Sequence, residues 1–205
     1  GFAEFDGRRF KVAPGVLIPR PETVELVELV ARENASARRL LDIGTGSGCI
    51  AISLDKKLPE AEVEAWDISE DALAIARENN KELAADVTFL QRDVLSDDWK
   101  KAPSFDEIVS NPPYVTEAEK KDMDANVLDW EPELALFVPD DDPLRFYRRI
   151  ADLGRELLLP DGKLYFEVNQ AYGRETAHIL EMNQYHDVRV IRDIFGKERI
   201  VTANR

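Results

Sequence analysis

The sequence predicts an α/β protein whose core is a doubly wound, mostly parallel sheet. Three observations lead there. Short apolar runs rich in β-branched and aromatic residues alternate with longer segments whose apolar residues recur at helical spacing. The connections between them are short, as repeated strand and helix units require. The first long strand also runs into a glycine-rich turn, Asp42-Ile43-Gly44-Thr45-Gly46-Ser47-Gly48, at the place where an open α/β sheet approaches a ligand.

Taken in order, Phe2 to Phe5 and Arg9 to Val12 flank Asp6-Gly7, a dipeptide that favours a tight turn, and are expected to form a small hairpin. Pro19 and Pro21 fix the backbone ahead of a helix in which Leu26, Val27, Leu29 and Val30 follow a helical pattern. A strand at 39–43, a helix at 47–57, a strand at 63–68, a helix at 70–83 and strands at 87–93 and 105–110 come next. After an irregular stretch the pattern gives a helix at 143–159, a turn at Pro160-Asp161-Gly162, a strand at 163–168 and a helix at 172–183. The closing strands, 188–194 and 198–203, are separated only by Phe195-Gly196-Lys197, so one of them is expected to run antiparallel. With no internal repeat or low-complexity linker, the expected division is a hairpin appendage over 1–18 and one domain over 19–205.

The chain has 205 residues, 44% of them hydrophobic, enough for one domain with a full core. Lys and Arg number 27 against 41 Asp and Glu, a formal net charge of -14, and no basic stripe interrupts the acidic balance. A grip on duplex nucleic acid through phosphates normally needs such a stripe, so no direct nucleic-acid partner is expected. The acidity suits a basic protein partner or simply a solvated surface. The single cysteine, Cys49, excludes an intrachain disulfide and sits in an apolar helical run, which points to an inert core thiol. There is no charged-then-apolar leader, and no apolar run approaches the roughly 20 residues that span a bilayer, so a cytoplasmic protein without a membrane partner is expected. The sequence opens on Gly1 and not on Met, which leaves room for residues upstream.

The glycine turn is the first candidate site. Gly44, Gly46 and Gly48 allow close approach of a ligand and backbone angles that side chains forbid. A dinucleotide fingerprint would place its third glycine at position 49, where Cys49 stands, so the spacing departs from the nicotinamide pattern. Asp42 near one strand end, Asp67 at the next and Asp93 followed by Val94 at the third place acids in register with the turn. This D-x-G-x-G-x-G arrangement followed by an acid resembles the Rossmann-like class-I methyltransferases that use S-adenosylmethionine. A carboxylate such as Asp67 can accept hydrogen bonds from both ribose hydroxyls, each worth about 1.5 to 3 kcal/mol when charge-assisted. Taken alone, Asp67 also reads as a helix cap ahead of Ser69.

The second candidate is Asn111-Pro112-Pro113-Tyr114, placed directly after a strand. Methyl transfer from a sulfonium is an in-line displacement, and a carboxamide or exocyclic amine resists it because its lone pair is delocalised. The side-chain oxygen of Asn111 and the carbonyl of Pro112 can accept the two N–H bonds of such a nitrogen and favour charge building on it. Pro112 and Pro113 hold those acceptors in place, and Tyr114 can stack on the planar group. Asn111, Pro112 and Tyr114 are thus the catalytic candidates, with Pro113 added for substrate binding. An ordinary strand-ending turn is the plainer reading of an Asn-Pro pair.

The order of four segments now resembles that of bacterial peptide-chain release factor glutamine N5-methyltransferases: Pro19-Arg20-Pro21-Glu22-Thr23, Leu41 to Ile50, Asn111 to Tyr114, and Trp130-Glu131-Pro132-Glu133-Leu134-Ala135-Leu136. The resemblance covers nearly the whole chain. It implies transfer of a methyl group from S-adenosylmethionine, leaving S-adenosylhomocysteine, to the side-chain amide nitrogen of the glutamine in the Gly-Gly-Gln loop of class-I release factors. It further implies that Gly44, Thr45, Gly46, Ser47, Gly48, Asp67, Val94 and Asn111 contact the cofactor and that Asn111 to Tyr114 hold the glutamine, while Asp93, by its place at the third strand end, is expected to meet the adenine. The family usually carries an N-terminal helical domain that helps grip the release factor, which this sequence lacks. It also commonly has an acid where Val24 stands and glycine where Asn169 stands.

Other features carry less. His178 and His186 lack clustered partners at ligand spacing, and Asp140-Asp141-Asp142 reads as a loop and helix start, so no metal site is expected. Arg20 and Glu22 either line the cofactor mouth or brace their own loop, and Trp130 with Glu131 forms a lid wall or packs the irregular stretch. Two other readings share these residues: an adenine-N6 methyltransferase on DNA or RNA, which should show a basic groove, and a cofactor-binding scaffold that transfers nothing.

Overall fold

Period-two alternation of apolar side chains builds the centre of the protein. The computed structural model describes residues 1–96, 104–122 and 131–205. Along β3 (Arg39–Ile43) Leu40 packs on one face and Leu41 on the other, and along β6 (Phe105–Ser110) Val109 and Ile108 do the same. These strands are buried on both faces, as parallel strands covered by helices must be.

Before them come the hairpin strands β1 (Phe2–Phe5) and β2 (Arg8–Lys11), the helix α1 (Thr23–Glu33), and after β3 the helix α2 (Cys49–Lys57), strand β4 (Glu62–Asp67), helix α3 (Glu70–Glu82) and strand β5 (Val87–Gln91). Beyond β6 lie β7 (Val115–Thr116), a 3₁₀ turn (Glu117–Asp122), the short helix α4 (Glu133–Leu136), β8 (Phe137–Val138), α5 (Arg145–Leu157), β9 (Leu158–Glu167), α6 (Gly173–Met182), β10 (His186–Arg192) and β11 (Glu198–Asn204). Seven strands form one sheet in the order β10-β11-β9-β6-β3-β4-β5. Only β11 opposes the rest, pairing antiparallel with both β9 and β10, as the closing hairpin spacing implied. Because β4 and β5 extend the sheet to one side of β3 while β6 lies on the other, the strand order reverses between β3 and β6, and a cleft opens at their carboxyl ends.

The hairpin turns at Asp6-Gly7, both with positive φ, and sends Phe5 and Phe10 into the core edge-to-face at 6.0 Å. Buried Asn79 on α3 fixes its position: Oδ1 accepts the Lys11 amide at 2.7 Å, while Nδ2 donates to the carbonyls of Lys11 at 3.1 Å and Ser47 at 2.9 Å. The stretch after the hairpin is thereby brought to the cleft.

Several boundaries differ from the sequence pattern. The expected turn at Pro160-Asp161-Gly162 lies inside β9, because Phe105 pairs with Leu158 but Glu107 pairs with Lys163, and the intervening residues are accommodated as an irregularity. The strand expected to reach Asp93 stops at Gln91, and Asp93 instead closes a local turn by accepting the Leu95 amide at 2.8 Å. Among the described residues no helix is long and apolar enough to cross a membrane.

Candidate active site

A cavity of about 400 Å³ opens at the carboxyl ends of the central strands, a size that suits a small organic ligand. Gly44 and Gly46 wall it after β3, Trp66 to Ser69 after β4, Asp93 to Leu95 after β5, and Ser110 to Pro113 after β6. Gly15 to Leu17 close a further side, with Phe146 and Ile150 of α5 and with Pro132 and Ala135.

The glycine turn is stitched to the neighbouring strand. The Trp66 carbonyl accepts the amides of Gly44 at 2.8 Å and Thr45 at 3.0 Å, and the Gly46 amide donates to Asp67 Oδ2 at 2.8 Å. With φ of 77° at Gly44 and 55° at Gly46, the backbone adopts angles that few side chains tolerate and faces the cavity bare. Asp67 Oδ1 accepts the Ser69 amide at 2.9 Å, so one carboxylate ties the turn to the start of α3. Burial pushes the Asp67 pKa up, opposed by the N–H groups of Ser69 and Gly46. Each of its oxygens retains a lone pair for a ligand hydroxyl.

Asp42 lies beneath the turn, fully buried, with Oδ2 accepting the Thr45 hydroxyl at 2.6 Å. Burial raises its pKa to about 7; the Thr45 bond opposes this and the charge of Asp67 adds to it. Thr45 and Ser47 are likewise buried away from the cavity. Gly48 stands outside the walls as well: φ is 82°, and a Cβ there would meet Ala76 Cβ and Ile52 Cδ1 at 3.1 Å, so its bareness serves the packing of α2 on α3.

The acceptor turn begins where Ser110 Oγ donates to the Ile43 carbonyl at 2.7 Å, locking the end of β6 to the end of β3. A Cβ built on Gly44 would lie 4.0 Å from the Asn111 carbonyl oxygen, so the two turns face each other closely. Among the described residues the Asn111 side chain makes no hydrogen bond, which leaves its amide available to a ligand. Pro112 is buried and Pro113 half-buried beside it. Tyr114 is not brought into the cavity. Its ring packs against the core cluster of Tyr147 and Phe166, and its hydroxyl faces Glu167; burial, then the Glu167 charge, pushes its pKa well up.

Arg20 pairs with Glu131 at 2.6 Å and not with its neighbour Glu22, so the bracing expected within its own loop reaches across to the segment ahead of Pro132. Trp130 lies outside the described residues. The sequence pattern missed Gly15, Val16 and Leu17, and also Ile68 and Leu95, large apolar residues 44% and 36% exposed in the cavity wall. A signal for Ile68 was present: it follows the strand-end acid Asp67, giving an apolar surface beside a hydroxyl acceptor. Arg149 of α5 holds the loop that carries Leu95, donating to the carbonyls of Val94 at 3.0 Å and Ser96 at 2.7 Å.

Residues 23–129 match the family model of the methyltransferase small domain. A release factor glutamine methyltransferase of Bacteroides thetaiotaomicron is 75% identical over 205 residues, all of this chain and 74% of that protein. One from Flavobacterium psychrophilum is 47% identical over 210 residues, covering 100% of this chain and 73% of that protein. The crystal structure of a methyltransferase from Pyrococcus furiosus shares the fold, with a TM-score of 0.71 at 17% identity over 95% of this chain and 87% of that one. With this identity sustained along its full length, and with both turns walling one cavity, the chain belongs to the release factor glutamine methyltransferase family.

Proposed function

We propose that this chain transfers a methyl group from S-adenosylmethionine to the side-chain amide nitrogen of the glutamine in the Gly-Gly-Gln loop of class-I release factors, acting in the cytoplasm. The observation that carries the reading is that the glycine turn and the Asn111 turn wall one cavity, with the Gly44 Cβ position 4.0 Å from the Asn111 carbonyl oxygen. The residues fit the cofactor: bare backbone at Gly44 and Gly46, a carboxylate with free lone pairs at Asp67 for the ribose, and apolar Ile68, Val94 and Leu95 for a flat base. Bound there, S-adenosylmethionine supplies a methyl group on a positively charged sulfur, open to in-line displacement.

The chain's own residues do the orienting. The Asn111 side-chain oxygen and the Pro112 carbonyl accept the two N–H bonds of the incoming carboxamide and turn its nitrogen toward the cofactor side of the cavity. Pro112 and Pro113 keep these acceptors from relaxing, so little ordering is needed at the moment of reaction. Walls formed by Trp66, Phe146 and Ile150 exclude water and strengthen each of these polar contacts.

The test is to incubate the protein with methyl-labelled S-adenosylmethionine and a purified class-I release factor, its Gly-Gly-Gln glutamine variant, or an adenine-containing oligonucleotide. Label in the wild-type factor alone supports the reading. Label in the oligonucleotide replaces it with an adenine-N6 activity, and cofactor binding without label anywhere replaces it with a scaffold.

A further inference from the structure

We propose that Arg20 and Glu131 are positioning residues: their ion pair holds the segment from Glu131 to Ala135 so that Pro132 and Ala135 stand as a wall beside the acceptor turn. The inference deepens the functional reading given above and rests on it. Arg20 Nη2 donates to Glu131 Oε1 at 2.6 Å, joining residues 111 apart in the chain. Arg20 lies between Pro19 and Pro21, and its carbonyl accepts the Thr23 amide at 3.1 Å, so the cation is anchored to the start of α1. Shortly before it, Gly15 to Leu17 line the cavity. Glu131 directly precedes Pro132, which opens α4 and whose carbonyl accepts the Ala135 amide at 3.0 Å. Pro132 and Ala135 line the cavity as well. Beyond α4 the same segment is fixed by β8, which pairs with β7 in the register Val115 with Phe137 and Thr116 with Val138. β7 begins directly after Tyr114. The wall is thus tied at one end to the exit of the acceptor turn and at the other to Arg20.

The pair is unequal in a way that matters. The Glu131 side chain is 1% exposed and that of Arg20 37%, so the carboxylate is the buried partner and the guanidinium reaches in from the surface. Glu131 Oε2 is buried too, with no hydrogen-bond partner among the described residues, so the contact on Oε1 carries the stabilisation of the charge. As a packing element such a pair is a poor choice, because apolar side chains of similar volume hold a buried place at least as well. What it supplies is a fixed register between two stretches that lie outside the main sheet. Removing the cation alone strands a buried charge, and the segment must then move to bring Glu131 to water. That movement carries Pro132 and Ala135 with it and, through β8 and β7, loosens the exit of the acceptor turn.

The test uses Arg20→Met, Arg20→Lys, Glu131→Gln and the Arg20→Met/Glu131→Gln double variant. The first measurement needs no substrate: amide hydrogen exchange followed by NMR. In Arg20→Met the Ala135 amide should exchange about ten-fold faster than in the wild type, while the Gly44 amide, bonded to the Trp66 carbonyl, keeps its rate. An unchanged Ala135 rate overturns the proposal, whatever the activity. The second measurement is methylation of the release factor, with cofactor Kd determined alongside. Arg20→Met should lose about ten-fold in kcat with cofactor Kd within about three-fold, and Arg20→Lys, which keeps the charge, should recover most of the rate. The double variant should be faster than Arg20→Met, because its second change removes the stranded charge. A double variant as slow as Arg20→Met, or slower, would mean that Arg20 acts independently of Glu131 and overturns the proposal. If the wild type leaves the release factor unlabelled, the functional reading fails while the exchange comparison still decides whether the pair holds the wall. Glu131→Gln keeps the size of the side chain and covers the case in which Arg20→Met folds poorly: its Ala135 amide should exchange faster than in the wild type, and an equal rate overturns the proposal.

Discussion

Asp67 Oδ2 accepts the Gly46 amide at 2.8 Å, so the acid expected to bind the cofactor ribose also holds the glycine turn in shape. Removing it should act twice. Asp67→Ala is expected to weaken S-adenosylmethionine binding by about 1 to 3 kcal/mol, the scale of a lost charge-assisted contact. Asp67→Asn keeps an acceptor for Gly46 and should lose less. Calorimetry on both variants separates the two duties: equal losses would mean that ribose recognition alone is at stake, and no loss in either would remove Asp67 from the site.

Asn111→Ala tests the acceptor turn from the other side. Because the Asn111 side chain makes no hydrogen bond among the described residues, its loss should leave the fold intact. A donor or acceptor used mainly in the transition state lowers kcat by about 100 to 1,000-fold when removed. We expect a fall of that order in turnover of the release factor, with cofactor affinity nearly unchanged. A variant that keeps near-normal turnover would strip Asn111 of its role.

Gly46 and Gly48 look alike in sequence and differ in structure. A Cβ on Gly46, φ 55°, meets nothing within 4 Å, whereas one on Gly48, φ 82°, meets Ala76 and Ile52 at 3.1 Å. Gly48→Ala should therefore destabilise the protein by about 1 to 3 kcal/mol, from strained backbone and overpacking together. Gly46→Ala should lower stability by only about 1 kcal/mol, the backbone term alone, yet weaken cofactor binding because its new methyl group enters the cavity. Thermal denaturation paired with cofactor titration distinguishes them, and an equal pattern in both variants would refute the division of roles.

That contrast shows what a linear pattern can and cannot carry. Alternation such as Leu40 with Leu41 marks a strand buried on both faces, and Asp67 before Ser69 marks a strand end running into a helix; both were legible because their causes are local. The orientation of Tyr114 was not, since its ring packs against the cluster of Tyr147 on α5 and Phe166 on β9, elements that come later in the chain. Nor were Gly15 to Leu17, whose place in the cavity wall depends on Asn79 of α3 bridging the hairpin to the glycine turn. The kink at Pro160 to Gly162 escaped for the same reason: a Pro and Gly pair signals a turn, but only the pairing with β6 shows that β9 absorbs it.

Stability should fall as pH rises through neutrality. Burial raises the pKa of Asp42 to about 7 and that of Glu107 to about 8, from ordinary values of 3.8 and 4.5. For Glu107, Lys163 opposes the shift while Asp106 and Glu33 add to it. An unfolded chain releases these protons near the ordinary values, so from there up to about pH 8 the folded state binds more protons than the unfolded one, and the slope of stability with pH is negative. The contribution is greatest below about pH 4, is lost progressively through neutrality, and is level above about pH 8. Glu33 acts in the opposite sense, because its hydrogen bond from Arg189 lowers its pKa and its contribution disappears as acid protonates it. Together these predict a melting temperature that is highest in mildly acidic buffer and declines toward about pH 8.5. Glu107→Gln removes one of these two raised acids and should flatten that decline, melting above the parent at the alkaline end. A parent whose melting temperature rises between about pH 5 and 8.5, or a Glu107→Gln variant that follows the parent curve throughout, would show that Glu107 is not the group holding the proton.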